Sequence, residues 1–502
     1  MELSQTDRQI SERLFILTLI SVAYFYAGGG WNQNAQFDLT RAIVERGTFA
    51  IDAFTGNTGD ISRYGVHIYA NKAPGLSFLA AIPYALLFAI EHARYPVSEP
   101  LLLTTNAYVC TVATCGVLVA LVPFFLFREA RRSGFGAFWS AIVALTTVLA
   151  TQLWPYATMF VAQSPSGALM FIAFMLARRD SALSQFGSGV CAGVAGITNY
   201  LCIPAAIVIA LFAVYRSKKH ARTLLCVVAG GAPFALLLAL YQSRCCGGFF
   251  TTPIATMDPR FVSKGAALGI FEGPSLDALY GITISPYRGL FYFAPVLLMA
   301  LVGMVVWMRR PGTRHELLAI AVISAMFFAF NISFNGWEGG FGIGARYLVP
   351  LIPLWSLAML RCRGWQKPLL GALAIVSFAI NFASTAVDPQ PSGTIPQPLT
   401  QYIVPLLVTG HFSPHVPITP PWSAATFTGH TSVNRMTHDE AIVFRRHPPE
   451  SAAAEWSSFN LGEAFFGPGD VRSLAPIALV VAAGVAWILA TARRAEAASQ
   501  SR

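Results

Sequence analysis

The chain has 502 residues, of which 55% are hydrophobic and 12% charged, with a mean hydropathy of +0.56. So apolar a chain cannot hide its side chains from water inside an ordinary globule, which excludes a soluble enzyme and makes lipid part of its solvent. The net charge of +10 does not signal nucleic acid, because Lys and Arg gather in short loops between apolar runs, the sequence form of the positive-inside rule.

A membrane-spanning helix needs roughly 20 predominantly apolar residues. Runs of this kind recur at 14–28, 101–127, 135–153, 159–177, 191–215, 224–241, 291–308, 317–334, 347–360, 369–387 and 474–491. The first begins after Arg13, lacks an A-x-A-like cleavage site and leads into a long polar loop, so it reads as a retained helix and not a removed signal peptide. The runs predict an all-α polytopic membrane protein.

Basic clusters at Arg216/Lys218/Lys219/Arg222, Arg309/Arg310/Arg314, Arg361/Arg363/Lys367 and Arg493/Arg494 fall on one side if each run after Tyr215 crosses once. That side is the cytoplasm, and residues 242–290, 335–346 and 388–473 are then external. In the first half two readings compete. If 73–90 spans, Arg128/Arg131/Arg132 and Arg178/Arg179 fall outside, against the rule. If 73–90 lies in the membrane plane and 191–215 crosses twice, every basic loop is internal, but 187–199 is short for a crossing. On length the first reading is preferred. Both put 31–72 outside, and both give about twelve crossings.

The loop 31–72 is dense in polar groups and is built around a helix. Asn34, Asp38, Arg41 and Glu45 recur at helical spacing as one polar stripe beside an apolar face of Ala35, Leu39, Ala42 and Ile43. Such a helix is suited to the membrane surface. Gly47 would end it, and the cluster Thr55-Gly56-Asn57-Thr58-Gly59-Asp60 reads as a turn leading to an extended 63–70.

The order of a first transmembrane helix, an acidic external loop (NQNAQFDLTRAIVERGTFAID) and YANKAPGLSFLAAIPYA opening the next apolar run resembles the GT-C superfamily of membrane glycosyltransferases. That superfamily includes the protein O-mannosyltransferases and lipid A aminoarabinose transferases, and the bacterial multi-pass branch is the nearest likeness. LYGITISPYRGLFYFAPV, GWEGGFGIGARYLVPLIPL and Phe459-Asn460-Leu461-Gly462-Glu463 are similar to segments of the same branch. The resemblance implies a GT-C-like bundle over 1–387, a long external loop at 388–473, and a last helix with a cytoplasmic tail at 474–502. It also implies a bacterial inner membrane with the active site facing the periplasm.

A GT-C enzyme takes a sugar from a polyprenyl-phosphate carrier and passes it to a glycan, lipid or protein acceptor, usually inverting the anomeric centre. A carboxylate should orient or deprotonate the acceptor hydroxyl. Asp38 matches the family's acidic position in order and setting, although the family often carries paired acids there and this chain has Asp38 alone between Phe37 and Leu39. Asp60 in the turn cluster is the second candidate; Glu45 and Asp52 rank lower. Fixed cations should hold the phosphate as its charge grows. Lys72, in Asn71-Lys72-Ala73-Pro74, stands where related transferases carry a Lys-Pro motif. Arg288 and Arg346 are external arginines on an arginine-poor face and can each grip phosphate with two donors. Tyr287, His67 and Glu338 could complete the site.

Of eight cysteines, five lie inside apolar runs and none has zinc-ligand spacing. Adjacent Cys245 and Cys246 would close a strained ring, leaving free thiols or some other pairing. His411, His415, His430, His438 and His447 crowd the long loop without clean ligand spacing, and 403–408 is apolar enough to touch the membrane or cover a site. No cofactor is read from the chain, and the resemblance leaves a divalent metal open. Against the transferase stand a transporter or flippase of lipid-linked glycans and an inactive scaffold. Transporters tend to place ionisable groups within their spans, whereas here the acids concentrate in the loops.

Overall fold

The computed structural model describes residues 3–94, 99–257, 259–410, 458–467 and 469–500. It is a helical bundle with two short two-stranded sheets. A capping box between Ser4 and Asp7 starts α1 (Gln5–Ala23), which leads through β1 (Phe25–Ala27) to α2 (Trp31–Arg46). Gly47, at φ +62°, closes α2 with a left-handed cap that costs a residue without Cβ little. β2 (Ile61–Tyr64) and β3 (His67–Ala70) form a hairpin pairing Ile61 with Ala70 and Tyr64 with His67, so the stretch expected to be extended throughout is folded back at Gly65.

Next come α3 (Gly75–Arg94), α4 (Glu99–Thr111) and α5 (Val117–Arg132), the last two joined by a π-turn at Val112–Gly116. Then follow α6 (Ala137–Leu149), α7 (Leu153–Ala157), α8 (Gln163–Ala177), α9 (Ala182–Thr198), α10 (Cys202–Arg216) and α11 (His220–Cys246). The second half carries α12 (Leu276–Thr283), α13 (Leu290–Phe293), α14 (Leu298–Met308), α15 (Arg314–Ser333), α16 (Ile352–Met359) and α17 (Gln366–Val387). It ends with α18 (Val404–Thr409), β4 (Ser458–Asn460), α19 (Glu463–Phe466) and α20 (Ala475–Gln500). β4 pairs antiparallel with β1, Phe25 opposite Asn460, so the far end of the long loop is stitched to the segment between α1 and α2. Among the described residues, five helices are long and apolar enough to cross a membrane: Leu103–Arg132, His220–Cys246, Pro311–Ser333, Gln366–Val387 and Val471–Ala498.

Hydrogen bonds fix which ends lie together. Arg131 pairs with Asp7 at 2.7 Å and Arg128 bonds Ser11, whereas Tyr108 donates to the carbonyl of Ala23 at 2.7 Å. The α4–α5 helix therefore runs antiparallel to α1, ending in Arg131/Arg132 beside the start of α1. Arg178 pairs with Glu129 at 2.6 Å and Glu316 at 3.1 Å, the Arg216 guanidinium meets the Arg178 carbonyl, and Glu496 accepts from the backbone of Phe138. All these basic clusters share one end of the bundle, the basic face; the first loop lies at the opposite end, the loop face.

This overturns the preferred reading of the first half. α3 does not carry the chain across: Glu91 near its end accepts from Asn106 at 3.0 Å, level with the loop end of α1. Instead α3 packs along α2, with Tyr84 bonded to Glu45 and Ser77 to the carbonyl of Gln36. The stretch judged too short makes a helical hairpin, α9 and α10. Close packing helps the short helices: a Cβ at Gly189 would run into the carbonyl of Val227, and one at Gly230 into that of Phe186.

The surface helix expected at 34–45 is also corrected. Every residue of α2 from Gln33 to Ala42 is buried, including Asn34, Asp38 and Arg41 of the polar stripe, and Glu45 is half-buried. Its apolar face joins Ile51, Phe54, Tyr69 and Tyr241 in a small core, and Asn34 and Asp38 of the polar stripe turn inward against Asn57.

Candidate active site

Asp38 is fully buried. Its Oδ1 accepts from Asn57 Nδ2 at 3.2 Å, and the backbone carbonyl of Asn57 accepts from Asn34 Nδ2 at 2.9 Å. These two bonds fix the orientation of both amides, since each spends its N–H group on a defined acceptor. Among the described residues the side-chain oxygens of Asn34 and Asn57 meet no hydrogen-bond partner, nor does that of Gln36. Buried acceptors without donors are costly, so the neighbourhood of Asp38 is rich in sites that would welcome donor groups.

Three residues beyond Asn57 the turn carries Asp60, mostly buried and paired with Lys72 Nζ at 3.0 Å. The β2–β3 hairpin brings the two together: Ile61 and Ala70 are partners in its last rung, which sets Asp60 opposite Asn71, and Lys72 is the next residue along. The backbone of Asn71 also bonds the carbonyl of Asp60 at 3.1 Å. Arg346 lies within electrostatic reach of Asp60. The first loop thus ties Asp38 through Asn57 to the turn that carries Asp60 and its partner Lys72, and Arg346 of the second half faces Asp60. Asp52 stands apart, exposed and paired with His67 at 2.7 Å, and Glu45 is engaged by Arg41 and Tyr84.

Arg288 is buried, its two terminal nitrogens donating to the carbonyls of Gly342 and Gly340, the latter at 2.6 Å. Gly339, Gly340, Gly342 and Gly344 all have positive φ, the backbone freedom the bend from Glu338 to Arg346 requires. Arg346 packs against Gly339, where a Cβ would press on its side chain, and donates from Nη2 to Tyr347 at 3.0 Å. Among the described residues the Nε atoms of Arg288 and Arg346 have no hydrogen-bond acceptor. Tyr287 gives its hydroxyl to the carbonyl of Gly393 and packs edge-on to Trp337. Burial pushes that hydroxyl above its ordinary value, Arg288 pulls it down and Glu338 raises it.

The near end of the long loop threads between these parts. Gln390 Nε2 reaches the carbonyl of Gly28 at 3.4 Å, Gly342 donates to Pro391, and Tyr402 donates to Asp388 at 3.0 Å. Within 403–408, Ile403 is buried and Val408 exposed. The five loop histidines lie outside the described residues. All eight cysteines are free thiols, with Cys245 and Cys246 buried at the end of α11. No group of three or more metal-ligating side chains occurs among the described residues.

Asn57 carries no signal of its role in the sequence, because it sits in a glycine-rich turn, where Asn ordinarily serves the backbone. Gln390 and Tyr156, which bonds the carbonyl of Ile343 at 2.9 Å, carry no local signal; only the fold brings them to the glycine-rich bend.

No family profile and no curated protein matches the chain. Among solved structures it is similar to ArnT from Cupriavidus metallidurans bound to undecaprenyl phosphate, at 15% identity over 96% of this chain and 77% of that one, with a TM-score of 0.45. It is also similar to the apo state of the same protein, at 14% identity over 96% and 76% of the two chains, with a TM-score of 0.46.

Proposed function

We propose that the chain is an integral membrane glycosyltransferase that moves a sugar from a polyprenyl-phosphate carrier to an acceptor at the loop face, with inversion at the anomeric carbon. The observation that carries this reading is the buried Asp38 carboxylate, held by Asn57 among acceptor oxygens that meet no hydrogen-bond partner among the described residues, with Asp60, three residues past Asn57, paired with Lys72. A sugar is a dense array of hydroxyl donors, which suits such acceptors, and a rigidly held carboxylate suits the transfer of one hydroxyl proton. The sequence likeness to the GT-C superfamily points the same way.

In this reading Asp38 removes the acceptor's proton as the new glycosidic bond forms, while the bond from the anomeric carbon to phosphate breaks and its electrons leave with the carrier phosphate. Lys72 and Arg346 stabilise the growing phosphate charge. Asp60 holds Lys72 in place. Arg288, whose Nη groups are spent on the glycine-rich bend, acts by shaping the loop that presents Arg346. The loop face then looks onto the periplasm of a bacterial inner membrane, with the basic face in the cytoplasm, as the positive-inside rule requires.

The test uses the full chain in lipid nanodiscs with polyprenyl-phosphate pentoses and hexoses labelled in the sugar. Wild type is expected to release label to acceptor or water and Asp38→Asn to lose that release while still binding carrier. Full activity in Asp38→Asn would move the base to Asp60. Binding without turnover across the panel would favour a transporter or scaffold.

A further inference from the structure

α11 is the most lipid-facing of the long helices, with Leu224, Leu225, Val228, Leu236 and Leu240 exposed along it. It stops at Cys246, where Gly247 takes a left-handed cap, and the residues just beyond, Phe249 and Phe250, are exposed, Phe250 at 94%. The tip of the β2–β3 hairpin reaches the same place. The Tyr64 ring lies against Gly247, where any Cβ would collide with it, and Val66 at the turn is 91% exposed. Exposed Tyr64, Val66, Phe249 and Phe250 thus come from two segments that touch at Tyr64 and Gly247 by the end of a long apolar helix, with Arg63 and Arg244 exposed beside them in the chain.

We infer that Tyr64, Val66, Phe249 and Phe250 form a membrane-interface anchor whose partner is the lipid of the loop-face leaflet. The patch lies at the end of the lipid-facing surface of α11, beyond exposed Leu240 and Arg244. Its composition is that of an interfacial belt: aromatic rings at headgroup depth, with arginines whose stems lie along apolar surface while their heads meet phosphate. The anchor fixes the height of the hairpin over the membrane. Because the other end of that hairpin carries Asp60 and Lys72, it also sets the height of that pair relative to lipid phosphates. The inference rests on α11 spanning the bilayer and stands whether or not the chain is a transferase.

The test places a photoreactive p-benzoylphenylalanine at Val66, at Phe250 and, as a lipid-facing reference, at Leu236. The full chain is reconstituted in nanodiscs of phosphatidylethanolamine and phosphatidylglycerol. Irradiation followed by mass analysis is expected to give phospholipid adducts at Val66 and Phe250 in yields comparable to Leu236. Adducts at Leu236 alone, or at Leu236 and Phe250 without Val66, would overturn the anchor. Crosslinks from Val66 or Phe250 to a second copy of the chain would do so as well, by giving the patch a protein occupant.

Discussion

Replacing Asn57 by Ala tests whether Asp38 is held for chemistry. The substitution removes the Nδ2 donor that sits 3.2 Å from Asp38 Oδ1 and leaves Asn34 its bond to the backbone carbonyl of residue 57. A hydrogen bond to a charged group contributes about 1.5–3 kcal/mol. If that bond orients the carboxylate in the transition state, the same energy appears in the barrier, and each 1.36 kcal/mol is tenfold in rate, so kcat should fall roughly 10- to 150-fold. The KM for carrier should stay near wild type, because Asp38 is assigned to the acceptor and not to the phosphate. The assay is release of labelled sugar in nanodiscs, with carrier binding measured separately. Activity within twofold of wild type in Asn57→Ala, alongside a dead Asp38→Asn, would refute the claim that Asn57 orients the base.

Lys72→Met should raise the KM for carrier more than it lowers kcat, with Lys72→Arg recovering part of the loss; equal effects of both on kcat alone would remove Lys72 from phosphate binding. Arg178→Met takes from Glu316 its 3.1 Å ion-pair partner and leaves Glu129 with Arg179 at 3.7 Å, and the loss of a buried ion-pair partner costs on the order of 3 kcal/mol; a thermal unfolding scan in detergent should show a clear drop in melting temperature. Gly189→Ala drives a methyl against the Val227 carbonyl, an overpacking that costs about 1–3 kcal/mol and should lower the same midpoint. The raised value of Tyr287 means that the folded chain keeps this phenol's proton at a pH where the unfolded chain has lost it. Stability should therefore fall as pH rises above the ordinary value of 10.0, and Tyr287→Phe should flatten that limb of a pH-stability profile.

What could be read from the residues was the solvent and the first loop. Helical spacing found α2, and Gly47 its end, because both signals are local. The burial of the polar stripe was not legible, since its partner Asn57 lies 19 residues from Asp38 and acts through a side chain that any turn could contain. The Asp60–Lys72 pair is equally hidden: each residue is a candidate alone, and only the fold-back at Gly65, which sets Asp60 opposite Asn71, brings Lys72 within reach. Arg288 shows the converse case. Its external setting suggested a free cation, but the glycine-rich bend of the second half takes both its terminal nitrogens.

The topology of the first half fails in the sequence for a reason that can itself be tested. Hydropathy scores α3 as a span because Ile82, Leu86 and Ile90 make one apolar stripe while Leu76, Ala80 and Tyr84 make another; it cannot tell that the second stripe meets α2 and not lipid. Charge told the opposite story, and charge agrees with the ion pairs. Single cysteines at Ser133, Ser181, Gly312 and Glu272, all exposed positions, separate the two. With an impermeant maleimide on sealed vesicles of one orientation, Ser133→Cys and Ser181→Cys are expected to react on the same side as Gly312→Cys, and Glu272→Cys on the other. If α3 crossed the membrane, Ser133 and Ser181 would instead react with Glu272, and the arrangement that places Arg131 beside Asp7 and Arg178 beside Glu316 would be wrong.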